Sequence, residues 1–216
     1  MTIVSFPQRL FQILSNFKDL SPQERWAYFR LRVQSGAFRG RLCNPPLPRD
    51  PRSVLFVCQG NIIRSPFAAA LFHRLLPSAL QKRIHVASAG LDTTPGKPAD
   101  PRALQLAKEF DVPLDAHRTQ RLTSSLVERA DLIVVMDALN VAKFVVRYPG
   151  ARDKLFILGA FSRLPRGSSL EIPDPYNGTL DDVRKCYQSI SERLAALSQL
   201  IVRADVNGVP LDARKA

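Results

Sequence analysis

Cysteine, histidine and acidic side chains are all scarce among these 216 residues. The cysteines number three (Cys43, Cys58, Cys186), an odd count at irregular spacing. Such a set excludes a disulfide framework and implies a reducing compartment. The three histidines stand far apart. With so few thiols beside them no metal-ligand spacing emerges, and neither a metal nor another cofactor is expected. Long apolar runs are missing as well, none approaching the roughly 20 residues that span a bilayer. Gln8, Arg9, Gln12, Asn16 and Lys18 break up the first apolar residues, unlike a secretory signal, so a cytoplasmic protein is the expectation.

Acidic residues number 19 against 31 Lys and Arg, a net charge of +12. Residues 1–52 hold nine of the basic residues and three of the acidic ones, the densest part of that excess. The charges form no run, and no zinc-finger or aromatic RNA-binding signature accompanies them. Nucleic acid is therefore not expected; a solvated basic surface favouring acidic partners is.

What is present reads as one sizeable core with a small appendage. Leu10, Ile13, Leu14 and Phe17 fall on one helical face. Ser21-Pro22-Gln23-Glu24 then supplies a capping box for a second helix, with Trp26, Phe29 and Val33 as its apolar stripe and Gly36 as its stop. Asn44 to Pro51 contains four prolines and reads as a stiff linker. The division expected is a helical extension with its linker over 1–51, a catalytic domain over 52–203 and a loose tail over 204–216. The extension either packs back on the core or, through Arg9, Lys18, Arg25, Arg30 and Arg32, meets a docking partner or a membrane surface.

From Arg52 onward strands and helices alternate, as in an α/β fold. Strands are expected at Val54–Val57, Ile84–Ser88, Leu132–Met136 and Leu155–Leu158. Helices are expected at Phe67–Leu76, after Asp100-Pro101, over Thr123–Arg129 and over Ala138–Tyr148. A last one follows Thr179, with Val183, Tyr187, Ile190, Leu194, Leu197 and Ile201 on one stripe. The result is a parallel sheet of about four strands with helices on both faces. Ligand belongs at the carboxyl ends of those strands.

Cys58 stands at such an end, followed by Gln59, Gly60, Asn61, Ile62, Ile63, Arg64, Ser65 and Pro66. Backbone N–H groups on a strand-to-helix loop converge on one point, a nest for a phosphate-like anion at a helix N-terminus. Arg64 can close that anion with a planar fork. The same field favours thiolate at Cys58, whose ordinary pKa is about 8.5. Ser65 either donates to the sulfur or caps the helix. Asp174, between Pro173 and Pro175, is either a general acid over the cradle or a turn residue. Tyr176 either lines the cleft or packs half-buried.

Cys58 to Pro66 resembles the phosphate-binding loop of the low-molecular-weight protein tyrosine phosphatases. Val86–Gly90, Lys97–Arg102, Asp131–Asp137, Lys154–Phe161 and Ile172–Tyr176 resemble further segments of that family in its own order. The resemblance spans about residues 52–203 and implies hydrolysis of phosphotyrosine in proteins through a phosphocysteine, with a tyrosine kinase as a further partner. It implies Cys58 as nucleophile, Arg64 as phosphate clamp and Asp174 as general acid and base. It also implies that Ser88 and His117 support the loop through Asn61, where residue types alone suggest a strand-end serine and a surface histidine. Asp137 either braces the site or caps a helix.

Three departures stand out. Ile63 replaces a second cysteine common in the family, the Leu91–Gly96 loop lacks an aromatic residue, and Gln59 replaces an apolar rim residue. Ile62 resembles the tyrosine-specific members rather than the arginine-phosphate branch, where threonine is found. The competing expectations are an arsenate reductase of the same fold and a phosphate-binding or docking protein without catalysis.

Overall fold

The computed structural model describes residues 20–37, 44–161 and 170–207. Four strands, β1 (Ser53–Cys58), β2 (His85–Gly90), β3 (Leu132–Val135) and β4 (Leu155–Ile157), form one parallel sheet in the order β2-β1-β3-β4. The apolar runs of β1, β3 and β4 suit strands covered on both faces, whereas the edge strand β2 is buried only in its second half. Register pairs Phe56 with Ser88 on one side and with Val134 on the other. The chain leaves β1 toward β2, then returns past β1 to β3. The carboxyl end of β1 therefore opens on the crevice where the winding reverses.

Helix α1 (Pro22–Ala37) precedes the sheet, and α2 (Arg64–Leu75), α3 (Ser78–Arg83), α4 (Pro101–Glu109), α5 (Ser124–Arg129), α6 (Ala138–Arg147) and α7 (Leu180–Asn207) follow in chain order. Short 3-10 turns at Pro149–Lys154 and Leu158–Phe161 flank β4. Val54, Phe56 and Cys58 face α2, α4 and α7. Leu55 and Val57 face the opposite way, toward α5 and α6. All six expected stripe residues of α7 are buried, and Tyr187 stacks on Phe67 with ring centroids 3.6 Å apart. That stack clamps the first turns of α2, and with them the loop that follows β1. Among the described residues no helix is long and apolar enough to cross a membrane.

Several expectations need correction. The capping box of α1 forms: Ser21 N–H donates to Glu24 Oε2 at 2.9 Å and Glu24 N–H to Ser21 Oγ at 3.3 Å. Its buried face, however, is not the aromatic stripe. Trp26 and Phe29 are 61% and 50% exposed and stack on each other, whereas Glu24 and Tyr28 are buried. The cause lies in the partner surface. Ala138 and Ala142 of α6 leave room for Tyr28, and Arg147 takes the Glu24 carboxylate. The helix also runs one residue past Gly36.

The proline-rich segment, expected as a stiff linker, is a strap packed on the core. Asn44 and Leu47 are buried, and the Asn44 amide bonds both backbone groups of Ile157, accepting at 2.7 Å and donating at 3.2 Å. A single side chain thus pairs part of the open edge of β4. The expected tail is helical as far as Asn207, where α7 ends, with Asp205 ion-paired to Arg83. The face of Leu10, Ile13, Leu14 and Phe17, Cys43, and residues 208–216 lie outside the described residues.

Candidate active site

The loop after β1 is held from outside by its carbonyls. Cys58 and Gln59 C=O accept from Leu91 and Asp92 N–H, each at 3.0 Å, and Ile62 C=O accepts from Asp100 N–H at 3.0 Å. The Asn61 carbonyl accepts from His117 Nε2 at 2.8 Å, so that nitrogen carries the proton. In a trans peptide the next N–H points opposite to the carbonyl, and this chain has no cis bond among its described residues. The N–H groups of Gln59, Gly60, Ile62 and Ile63 consequently point away from those outer partners.

The left-handed residue of the loop is Asn61, at φ 54°. Asparagine enters that region more readily than most non-glycine residues because its short amide bonds locally. Gly60 lies outside the positive-φ set, and a Cβ added there would meet Ile62 at 3.4 Å, an ordinary contact. The Asn61 side chain donates to Ser65 Oγ and Ser88 Oγ, both at 2.9 Å, and accepts from Gln120 N–H at 2.9 Å. It is fully buried, and every one of its polar groups is used.

Helix α2 starts at Arg64, three residues before the expected Phe67, which places Arg64 and Ser65 in its first turn. Ser65 is not the cap. Its hydroxyl lies 3.1 Å from Cys58 Sγ, and Asn61 N–H donates to the same sulfur at 3.3 Å. Because Asn61 already donates to Ser65 Oγ, the Ser65 proton is left for the sulfur or, at 3.4 Å, for the Ala89 carbonyl. Asn61 N–H donates to the sulfur in both arrangements, and Ser65 adds a second donor only in the first.

Arg64 is buried and ion-paired twice. Nη1 donates to Asp137 Oδ2 at 2.5 Å and to the Ile172 carbonyl at 3.1 Å, while Nη2 pairs with Asp174. Burial would lower its pKa, but the charges of Asp174 and Asp137 outweigh that and hold it well above the ordinary value. Asp137 fills both roles left open for it: Oδ2 braces Arg64 and Oδ1 accepts from Asn140 N–H at 2.7 Å as the cap of α6. Asp174 likewise keeps a turn contact, accepting from Tyr176 N–H at 3.2 Å. Arg64 thus joins Asp137 and Asp174 directly and lies within electrostatic reach of Cys58. Tyr176, two residues after Asp174, is 58% exposed and so is not packed half-buried.

A family model described as "Low molecular weight phosphotyrosine protein phosphatase" matches residues 53–207. The chain belongs to this family. It is a phosphatase of the low-molecular-weight protein-tyrosine class, similar to the protein-tyrosine-phosphatase Wzb of Salmonella typhi. The two are 36% identical over 142 residues, 66% of this chain and 88% of Wzb. Among solved structures it resembles Vibrio vulnificus Wzb in complex with benzylphosphonate, at 34% identity and TM-score 0.60, covering 69% of this chain and 98% of that one. It also resembles the YwlE arginine phosphatase of Geobacillus stearothermophilus, at 29% identity and TM-score 0.65, covering 74% and 98%.

Contacts of the loop and of Tyr176 involve residues that sequence reading missed. Gln59 donates to Asp92 Oδ2 at 2.9 Å and accepts from the buried Lys143 Nζ at 3.2 Å. Asp92 is gripped further by Lys143 and Arg147, each at 2.7 Å. Burial would raise its carboxyl, yet the hydrogen bonds from Arg147 and Lys143 hold it well below the usual range. On the other side Arg102 pairs with Asp100, the cap of α4, and donates to the Tyr176 carbonyl at 2.9 Å. Gln59, Asp92 and the α6 pair Lys143 and Arg147 come from separate segments, as do Arg102 and Tyr176, so no local spacing announces these links. Burial pushes the Cys186 thiol up to about 12, and Ile63 is buried where a second loop cysteine would stand.

Proposed function

We propose that the protein hydrolyses phosphotyrosine in protein substrates through a phosphocysteine. The observation that carries this reading is the pairing of Arg64 Nη2 with the carboxylate of Asp174, within electrostatic reach of Cys58. A phosphoryl dianion competes for that end of the guanidinium while Nη1 stays on Asp137. Asp174 is then free to face the leaving oxygen. The Cys58 sulfur attacks phosphorus, forming S–P as P–O breaks, and Asp174 gives its proton to the phenolic oxygen. Water then attacks phosphorus and gives its proton to Asp174, the S–P bond breaks and phosphate leaves. Inner-facing amides and Arg64 hold the equatorial oxygens throughout. Ser88 and His117 act through Asn61, holding the loop in shape.

Tyr176 supplies an aromatic wall at the rim, and Gln59, fixed by Asp92 and Lys143, supplies a polar one. The substrate is accordingly a phosphotyrosine on a protein, an autophosphorylated tyrosine kinase being one such protein. An arsenate reductase relay is disfavoured by Ile63 and by the high pKa of the Cys186 thiol. The test is release of phosphate from matched phosphotyrosine, phosphoserine and phosphoarginine peptides. Tyrosine-selective turnover is expected, abolished in Cys58→Ser and reduced about 10²- to 10⁴-fold in Asp174→Asn. Equal or faster turnover of phosphoarginine would contradict the substrate class.

A further inference from the structure

Helix α1 lies outside the segment that the family model matches, yet one of its side chains reaches the base of the acid loop. Arg32 is aimed on its own helix. Its Nε and Nη2 donate to the buried Tyr28 hydroxyl at 3.0 and 2.7 Å, and its guanidinium lies over the Tyr28 ring, 4.9 Å from the centroid. The outer edge of the fork pairs with Glu171, Nη2 donating to Oε2 at 3.1 Å beside a closer Nη1–Oε1 contact. Glu171 Oε2 also accepts from Ala138 N–H at 3.2 Å, the residue after Asp137. The next residue, Ile172, donates to the Met136 carbonyl at 2.9 Å and accepts from Arg64 at 3.1 Å. Asp174 follows two residues later.

We infer that Arg32 is a positioning residue for the general acid, acting through Glu171 on the base of the acid loop. This rests on the phosphatase reading above. The side chains of the pair are 37% and 23% exposed, so their attraction adds little to stability. Placement is far more sensitive, since a shift of about 1 Å in a catalytic group can cost about 10²-fold in rate. Losing the contact with Glu171 is therefore felt in catalysis more than in stability, whereas removing the whole fork also takes two donors from the buried Tyr28 hydroxyl.

The experiment compares wild type, Arg32→Ala, Arg32→Lys and Glu171→Gln on aryl phosphates whose leaving groups range from acidic to weakly acidic phenols. Competition by inorganic phosphate and thermal melting are measured alongside. A misplaced acid penalises only leaving groups that need a proton. For Arg32→Ala and Glu171→Gln the expected result is about a tenfold loss of kcat/KM on phenyl phosphate. Dinitrophenyl phosphate turnover and phosphate inhibition should be nearly unchanged in both, melting should be nearly unchanged in Glu171→Gln, and Arg32→Lys should recover part of the loss. In an Asp174→Asn background Arg32→Ala should add nothing on phenyl phosphate. An equal loss on every ester, an undiminished loss in the Asp174→Asn background, or no loss at all would overturn the positioning role. A wild type that turns over no ester would overturn the phosphatase reading itself.

Discussion

Asn61 joins the loop, Cys58 and two neighbouring segments through its N–H, its side chain and its carbonyl. Its carbonyl requires His117 to carry a proton on Nε2, and neutral histidine meets that need as well as the cation. Burial lowers the His117 pKa, against the opposing pull of the Asn61 carbonyl. The sign follows from linkage. Below about pH 6.5 the unfolded chain takes up a proton that the native histidine resists, so stability falls as pH drops. A His117→Gln variant keeps a donor and removes the titration. Urea midpoints between pH 7.5 and 5 should therefore fall less steeply for His117→Gln than for wild type. Parallel curves would contradict the assignment. Residues 58–66 were legible because they are consecutive and each type has its own job. The Asp92, Lys143 and Arg147 cluster was not, because Asp92 lies 51 and 55 residues before its two cations on α6 and only the fold brings them together.

Elements differ in how openly their sequences announce them. The stripe of α7 could be read because it packs on an apolar layer that wants all six residues. In α1 the same reasoning chose the wrong face, since the surface it meets on α6 offers alanines and a cation rather than a greasy groove. Asn44 shows a similar limit: proline content suggests stiffness, but not that one amide will close a strand edge. Gly159, in the turn after β4, marks another close approach. A Cβ there would lie 1.9 Å from the Leu170 carbonyl oxygen, on backbone that leads into the acid loop. Gly159→Ala should cost about 1–3 kcal/mol, as overpacking does, and lower Tm by about 2–4 °C per kcal/mol for a chain of this size. An unchanged melting temperature would show that the acid-loop backbone gives way freely.

For the molecule as a whole, winding order accounts for the location of the site. The strand that carries Cys58 lies beside β3, where the connections reverse, so Arg64 and Asp137 face each other across the crevice. The acid arrives from the long connection before α7, and α1 reaches its base through Arg32 and Glu171. The basic excess at the start of the chain, legible only as surface charge, thus includes one arginine committed to an internal task. Arg25 and Arg30 of the same helix remain exposed with Trp26 and Phe29.

The central claim is that phosphoryl transfer passes through the sulfur of Cys58. It is tested most directly by mixing Asp174→Asn with an activated aryl phosphate, quenching within one turnover and mapping the phosphoryl group by mass spectrometry. Removing Asp174 slows the water step as well, so a phosphocysteine should accumulate on the peptide containing Cys58, and none should form in Cys58→Ser. Phenol release with the phosphoryl group on another residue, or with no phosphoenzyme at all, would contradict the account.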